Sequence, residues 1–337
     1  MLKAFKKVIR DPMPSKNEFK TIWTILKETY QGWRDDKASS LAASLAFYTI
    51  LSLAPILVIV IAIAGLAFGE TAVREEIVNA IQSLVGRDGA DAIRLVMENA
   101  ARPGHSILAA TVGIITLLFG ASGVFIQLKD SLNTIWDVKL RPGRGISGTI
   151  RDYFFSFGMI VGIGFLLLAS LVVSAALSAF GTFLGEYIQA NEILLRAINF
   201  IISFAVITFL FALIYKVIPD AEIAWSDVWI GAGVTSLLFT VGKFLIGLYL
   251  GHSSVGSAYG AAGSLVILMI WVYYSAQVFL LGAEFTQVYA ERRGSRIKPE
   301  DSAMNVADEK KPAEKLSEKS DTKTSCTRIC QKEFQYK

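Results

Sequence analysis

The chain has 337 residues, 53% hydrophobic and only 18% charged, with a mean hydropathy of +0.49. Those proportions exclude an ordinary soluble domain and describe a polytopic membrane protein. A formal charge of +4 is no nucleic-acid signal, because membrane proteins gather Lys and Arg on the cytoplasmic side for topological reasons.

Residues 1–37 carry nine Lys or Arg and no apolar run of signal-peptide length, so the first true span is expected to act as the signal anchor. Within this arm Phe19, Ile22, Trp23, Leu26, Tyr30 and Trp33 recur at helical spacing. The pattern predicts an amphipathic helix lying in the membrane interface, where Trp and Tyr suit the headgroup zone. The alternative is a helix packed on a cytoplasmic loop.

Ser39–Phe68 contains no charge, and its first half is rich in Ala and Ser, which predicts close packing against other helices. Pro55 is expected to kink this span near its middle. In the external segment 70–105, two short amphipathic helices are predicted, joined by the turn Gly86 to Gly89. Further spans are predicted at Ile107 to about Leu128, Tyr153 to Phe180, Ile193 to Val217, Val228 to Leu250 and Ala261 to about Tyr289.

The expected fold is therefore all-α, with six transmembrane helices, an N-terminal interfacial helix and a small outer helical loop. The segments assigned to the inside hold nineteen Lys or Arg and those outside four, which predicts both termini in the cytoplasm. Residues 1–37 form the arm, 38–293 the membrane domain, and 294–337 a tail too poor in apolar groups to order itself. That tail is expected to be disordered and functionally silent, with Cys326 and Cys330 as loose thiols rather than a metal pair.

Pairs of Gly at spacing four, such as Gly158 with Gly162 and Gly247 with Gly251, mark helix contacts or flexible joints. Small residues crowd Gly251 to Ser264, predicting a tight or re-entrant turn on the outer side.

Polar groups inside spans are where function is sought. Glu284 lies about 34 Å along the last span at ~1.5 Å per residue, hence near the cytoplasmic interface. Gln127, Lys129, Asp130 and Asn133 emerge from the second span at the same level, and Tyr48 and Gln277 extend the set inward. Two readings stay open for these residues. One is a hydrated recess among spans one, two and six; the other is a set of structural hydrogen bonds and an ion pair tying helix ends together. A cationic partner is expected for Glu284, Lys129 first and Arg151 second.

Four segments carry a family resemblance: DDKASSLAASLAFYTILSLAP (Asp35 to Pro55), GASGVFIQLKDSLNTIW (Gly120 to Trp136), YKVIPDAEIAWSDVWIGA (Tyr215 to Ala232) and SVGSAYGAAGSLVILMIWVYYSAQVFLLGAE (Ser254 to Glu284). In this order they resemble the YihY or virulence factor BrkB family of bacterial inner-membrane proteins, over roughly residues 20 to 292. The resemblance implies a six-helix membrane domain and a bacterial inner-membrane location. It also implies ties to serum resistance and envelope lipid handling, and a ribonuclease BN label that arose from a mistaken gene assignment.

The residues speak against that label. The only histidines are His105 and His252, short of the several His and Asp a two-metal nuclease needs. No phosphate-cradling loop, G-x-S-x-G elbow or basic and aromatic stripe is present. The chain is expected to be no enzyme, to hold no metal or cofactor and to bind no nucleic acid. Its expected role is transport or handling of an amphipathic envelope molecule such as a lipid. The alternative is a non-transporting scaffold for other envelope proteins.

Overall fold

The computed structural model describes residues 16–100, 123–140, 192–252, 258–300 and 303–305. The span expected at Tyr153 to Phe180, and most of that at Ile107 to Leu128, lie outside the described residues, as do His105, Arg151, Cys326 and Cys330. In chain order the described elements are helices α1 (Lys16–Asp35), α2 (Ala38–Phe68), α3 (Glu70–Val85) and α4 (Arg87–Ala100), then α5 (residues 123–135) and strand β1 (Val138–Leu140). Helix α6 (Glu192–Val217), strand β2 (Ala221–Glu222), helix α7 (Trp225–His252), helix α8 (Gly263–Arg292) and strands β3 (Lys298–Pro299) and β4 (Ala303–Asn305) follow.

Among the described residues, Phe200–Val217, Trp225–Leu250 and Gly263–Arg292 are each long and apolar enough to cross a bilayer. Residues 20–35 and 38–54 also qualify as a pair, although their axes differ by 63°. The bend is made by Asp36 and Lys37, the latter in the left-handed region at φ 53°. Helix α2 then runs unbroken from Ala38 to Phe68 across Pro55. It stops at Gly69 (φ 83°), and α3 stops at Gly86 (φ 90°). Only glycine adopts such values at low cost. The joint between the two short helices is therefore the single residue Gly86, and Arg87 to Gly89 already belong to α4.

Helix α8 is the hub, packing on α7, α2, α1 and α4. Its contact with α7 is built from two reciprocal pairs of small residues. A Cβ on Gly231 would lie 1.9 Å from Thr286 Oγ1, and one on Gly282 would lie 2.0 Å from Thr235 Oγ1. Each threonine hydroxyl meanwhile donates to the carbonyl four residues back, at 2.8 Å for Thr235 to Gly231 and 2.7 Å for Thr286 to Gly282. The polar atoms are thus satisfied within their own helices, and the backbones approach as closely as side-chain size permits. Of the glycines paired at spacing four in the sequence, Gly247 faces open space.

Two apolar cores result. One, at the Glu284 end, gathers Trp136, Tyr215, Leu132, Ile135, Leu280 and Ala283. The other, at the opposite end, joins Val73, Ile93 and Met97 of α3 and α4 to Leu57 and Ile61 of α2 and Ile267 and Leu268 of α8. Outward faces of α6 and α7 keep large apolar side chains exposed, among them Phe200, Ile201, Leu237, Phe244 and Leu245. Such faces suit hydrocarbon rather than water.

The folded part continues past residue 294, beyond the boundary expected for a disordered tail. Strand β3 pairs with β2 (Ala221 with Pro299) and β4 pairs with β1 (Lys139 with Met304), both antiparallel. Ser295 donates to Asp227 through its backbone N–H at 2.8 Å and its hydroxyl at 2.9 Å. Backbone pairing needs no apolar side chains, so composition underestimated this stretch.

Candidate functional site

Glu284 lies on the buried face of α8, 0% exposed. Gly282 and Ala283 beside it are buried as well, the former under Thr235. On its other side α1 crosses, and it can do so because position 32 is glycine: a Cβ there would sit 2.7 Å from Glu284 Oε2. The turn after α1, in which the Asp36 N–H donates to the Gly32 carbonyl at 2.9 Å, sets the Asp36 carboxyl beside that of Glu284. Asp137 and Asp35 also act on Glu284 electrostatically. Among the described residues neither Glu284 oxygen receives a hydrogen bond from a donor.

This corrects the expected pairing of Glu284 with Lys129. Lys129 Nζ lies 2.9 Å from Asp220 Oδ1, with both side chains largely buried. Asn133 completes that centre: its Nδ2 donates to Asp220 Oδ2 at 2.9 Å, and its Oδ1 accepts from the Asp220 N–H at 2.9 Å. The geometry follows from α5, where Lys129 and Asn133 are four apart and share a face, meeting the bend at residues 218–220 that follows α6. Each Asp220 oxygen thus has a donor, one of them charged. Arg151, the second expected partner, lies outside the described residues.

The other residues of the expected recess are placed apart. Gln127 Nε2 donates to Ser131 Oγ at 3.3 Å within α5, and Asp130 is exposed, its carbonyl accepting from Thr134 Oγ1 at 2.8 Å. The Tyr48 ring packs on Gly123, 3.0 Å from where a Cβ would stand. Gln277 Nε2 donates to Tyr273 Oη at 2.6 Å, while its buried Oε1 has no donor among the described residues. So Lys129 and Asn133 come together, and Glu284 belongs to a separate centre.

Sequence reasoning missed Asp220, Asp36, Gly32 and Tyr215. Tyr215 is wholly buried and donates its hydroxyl to the Phe279 carbonyl at 2.7 Å, with Thr235 Oγ1 3.1 Å away. The available signal was local: Asp36 and Asp220 are acids at the ends of apolar helices, where a charge needs a partner or a proton. Burial and then the neighbouring Asp137 charge push the Asp36 carboxyl, in the turn before α2, up to about 6. Among the described residues no three His, Cys, Asp or Glu side chains converge as a metal site would require.

The family model for virulence factor BrkB matches residues 29–307, from the second half of α1 to just past β4. Relatives include a UPF0761 membrane protein of Cronobacter sakazakii, 28% identical over 321 residues, covering 91% of this chain and 100% of the relative. Another from Tolumonas auensis is 28% identical, covering 77% of this chain and 84% of its own length. A third, from Photobacterium profundum, is 30% identical, with coverage of 80% and 82%. No solved structure matches the chain. A match across the full helical domain, together with helices long and apolar enough to span a bilayer, makes this an integral membrane protein of the virulence factor BrkB family.

Proposed function

We propose that the protein handles an amphipathic envelope molecule, a lipid, in the bacterial inner membrane, with six spans, both termini in the cytoplasm and α1 in the headgroup zone. The observation that carries the reading is a cleft of about 130 Å³ between α2, α3 and α4, lined by Leu57, Val58, Ile61, Ala62 and Met97 and edged by Glu70 and Arg74. One wall suits an acyl chain. At the edge, Arg74 reaches Glu70 only at 3.8 Å, with the side chains 32% and 69% exposed. An ion pair that loose contributes little and is readily exchanged for a phosphate, which a guanidinium binds in a bidentate way.

The nineteen to four distribution of Lys and Arg supports the orientation. The exposed Ile22, Trp23, Leu26 and Tyr30 of α1 support its place at the interface, beside the face on which Ile25 and Thr29 are buried. In this reading the partners are membrane lipids and there is no catalytic step, cofactor or nucleic acid.

The test is reconstitution of the full chain into liposomes with a fluorescent anionic phospholipid. The wild type should speed transfer between leaflets, and Arg74→Ala should slow it about tenfold, the loss of one charge-assisted hydrogen bond. A rate equal to that of empty liposomes would overturn transport. Capture of envelope proteins through α3 and α4 in its place would favour the scaffold.

A further inference from the structure

We propose that Glu284 and Asp36 form a proton-binding site that latches α1 to α8, with one proton shared between the two carboxyl groups. Two ionised carboxylates are both acceptors, and no donor reaches either Glu284 oxygen among the described residues. Gly32 lies directly against the Glu284 carboxyl, and Asp36, one turn on, donates its N–H to the Gly32 carbonyl at 2.9 Å, which sets the two carboxyl groups beside each other. Such a contact holds only when one of them carries a proton. Burial adds to the case, because an isolated carboxylate taken out of water costs several kcal/mol, and protonation removes that cost.

Among the described residues no charge on the surrounding elements offers an alternative. From α1 and its turn come the acids Asp35 and Asp36, with Lys37 exposed, and from the turn before β1 comes the acid Asp137. On α8 itself, Glu291 and Arg292 lie further along, where Arg292 forms an ion pair with Glu28 of α1 and Arg296 acts on Glu291. Thr235 of α7 packs on Gly282, and the Tyr215 hydroxyl of α6 is engaged with the Phe279 carbonyl. Lys129 is held by Asp220. A divalent cation is a poor candidate: it asks for about six oxygens, and no three-ligand group exists among the described residues.

The position explains what the proton does. Gly32 lets α1 lie directly on the Glu284 carboxyl, and the 63° bend that follows is made by the turn containing Asp36 itself. With the proton in place, the carboxyl pair bridges the end of α1 to α8. When it leaves for water, through the exposed Asp35 and Asp137, two negative charges face each other beside two more. The end of α1 then separates from α8. Protonation and α1 position are one equilibrium, and the site stands apart from the lipid cleft.

The experiment uses the full chain in lipid vesicles, with Cys326 and Cys330 replaced by Ser and spin labels at Lys20→Cys and Arg293→Cys. The distance between labels is followed as pH is raised, alongside the infrared carbonyl band of protonated carboxylic acid. The wild type should show a short distance and the acid band at low pH, both lost together on alkaline titration. Glu284→Gln, which keeps the shape and cannot ionise, should lose that band component and hold the short distance at every pH. Asp36→Asn, the second variant, should shift the midpoint by more than about one pH unit. A distance that does not respond to pH in the wild type, or an acid band unchanged in Glu284→Gln, overturns the latch.

Discussion

Asp220 and Glu284 are buried carboxyl groups at the same end of the bundle, 6% and 0% exposed respectively. Around Asp220 the fold supplies a cation, a side-chain amide and a reciprocal backbone bond. Around Glu284 it supplies a glycine and three more acids. The first centre compensates a charge and so fastens α5 to the bend after α6. The second leaves room for a charge to be absent, which is what a group that exchanges a proton requires. Burial alone therefore does not separate a structural acid from a functional one; the donors around it do.

The two centres should diverge most under the same acid-to-amide change at both positions. Asp220→Asn removes the buried carboxylate that Lys129 meets at 2.9 Å and should cost about 3 to 5 kcal/mol of stability, seen as a lowered unfolding temperature in detergent. Lys129→Glu should do at least as much damage, and should not rescue Glu284→Lys, since Lys129 faces Asp220. Rescue of that kind would restore the pairing expected from sequence.

A smaller effect is expected from Gly32→Ala, whose Cβ would meet Glu284 Oε2 at 2.7 Å. Overpacking of this sort costs about 1 to 3 kcal/mol. Adding Glu284→Ala should recover part of it, and the double-mutant cycle measures how much. Gly233→Ala is the control, because nothing lies within 4 Å of its would-be Cβ; it should be neutral or slightly stabilising.

The contact made by Asp36 should also depend on pH. Its carboxyl is raised from 3.8 to about 6, so the folded state holds the proton more tightly than the unfolded chain. Stability from this group is then full below about pH 4 and declines as pH rises through about 6. Unfolding temperatures measured between these limits should fall for the wild type and flatten for Asp36→Asn.

The smallest effect is expected from Glu284→Gln, under about 1 kcal/mol, because an amide replaces a neutral acid of the same shape. A loss as large as that of Asp220→Asn would show that Glu284 is held as a charge after all.

The membrane class, the helices at Ala38–Phe68, Glu192–Val217, Trp225–His252 and Gly263–Arg292, and the family were all legible in the sequence. Apolar run length and helical period are local properties, written in consecutive residues. The breaks at Gly69 and Gly86 were nearly as legible, since positive φ selects glycine. Partners were not. Lys129 finds Asp220 across 91 positions of sequence, and Glu284 finds Gly32 and Asp36 across nearly the whole domain. Depth along a span, which guided the expected Lys129 to Glu284 pair, places two groups at one level without saying which helices are neighbours. The Gly231–Thr235 and Gly282–Thr286 interlock shows why. Close packing depends on which small side chains meet across two helices, and that is decided only when the helices come together.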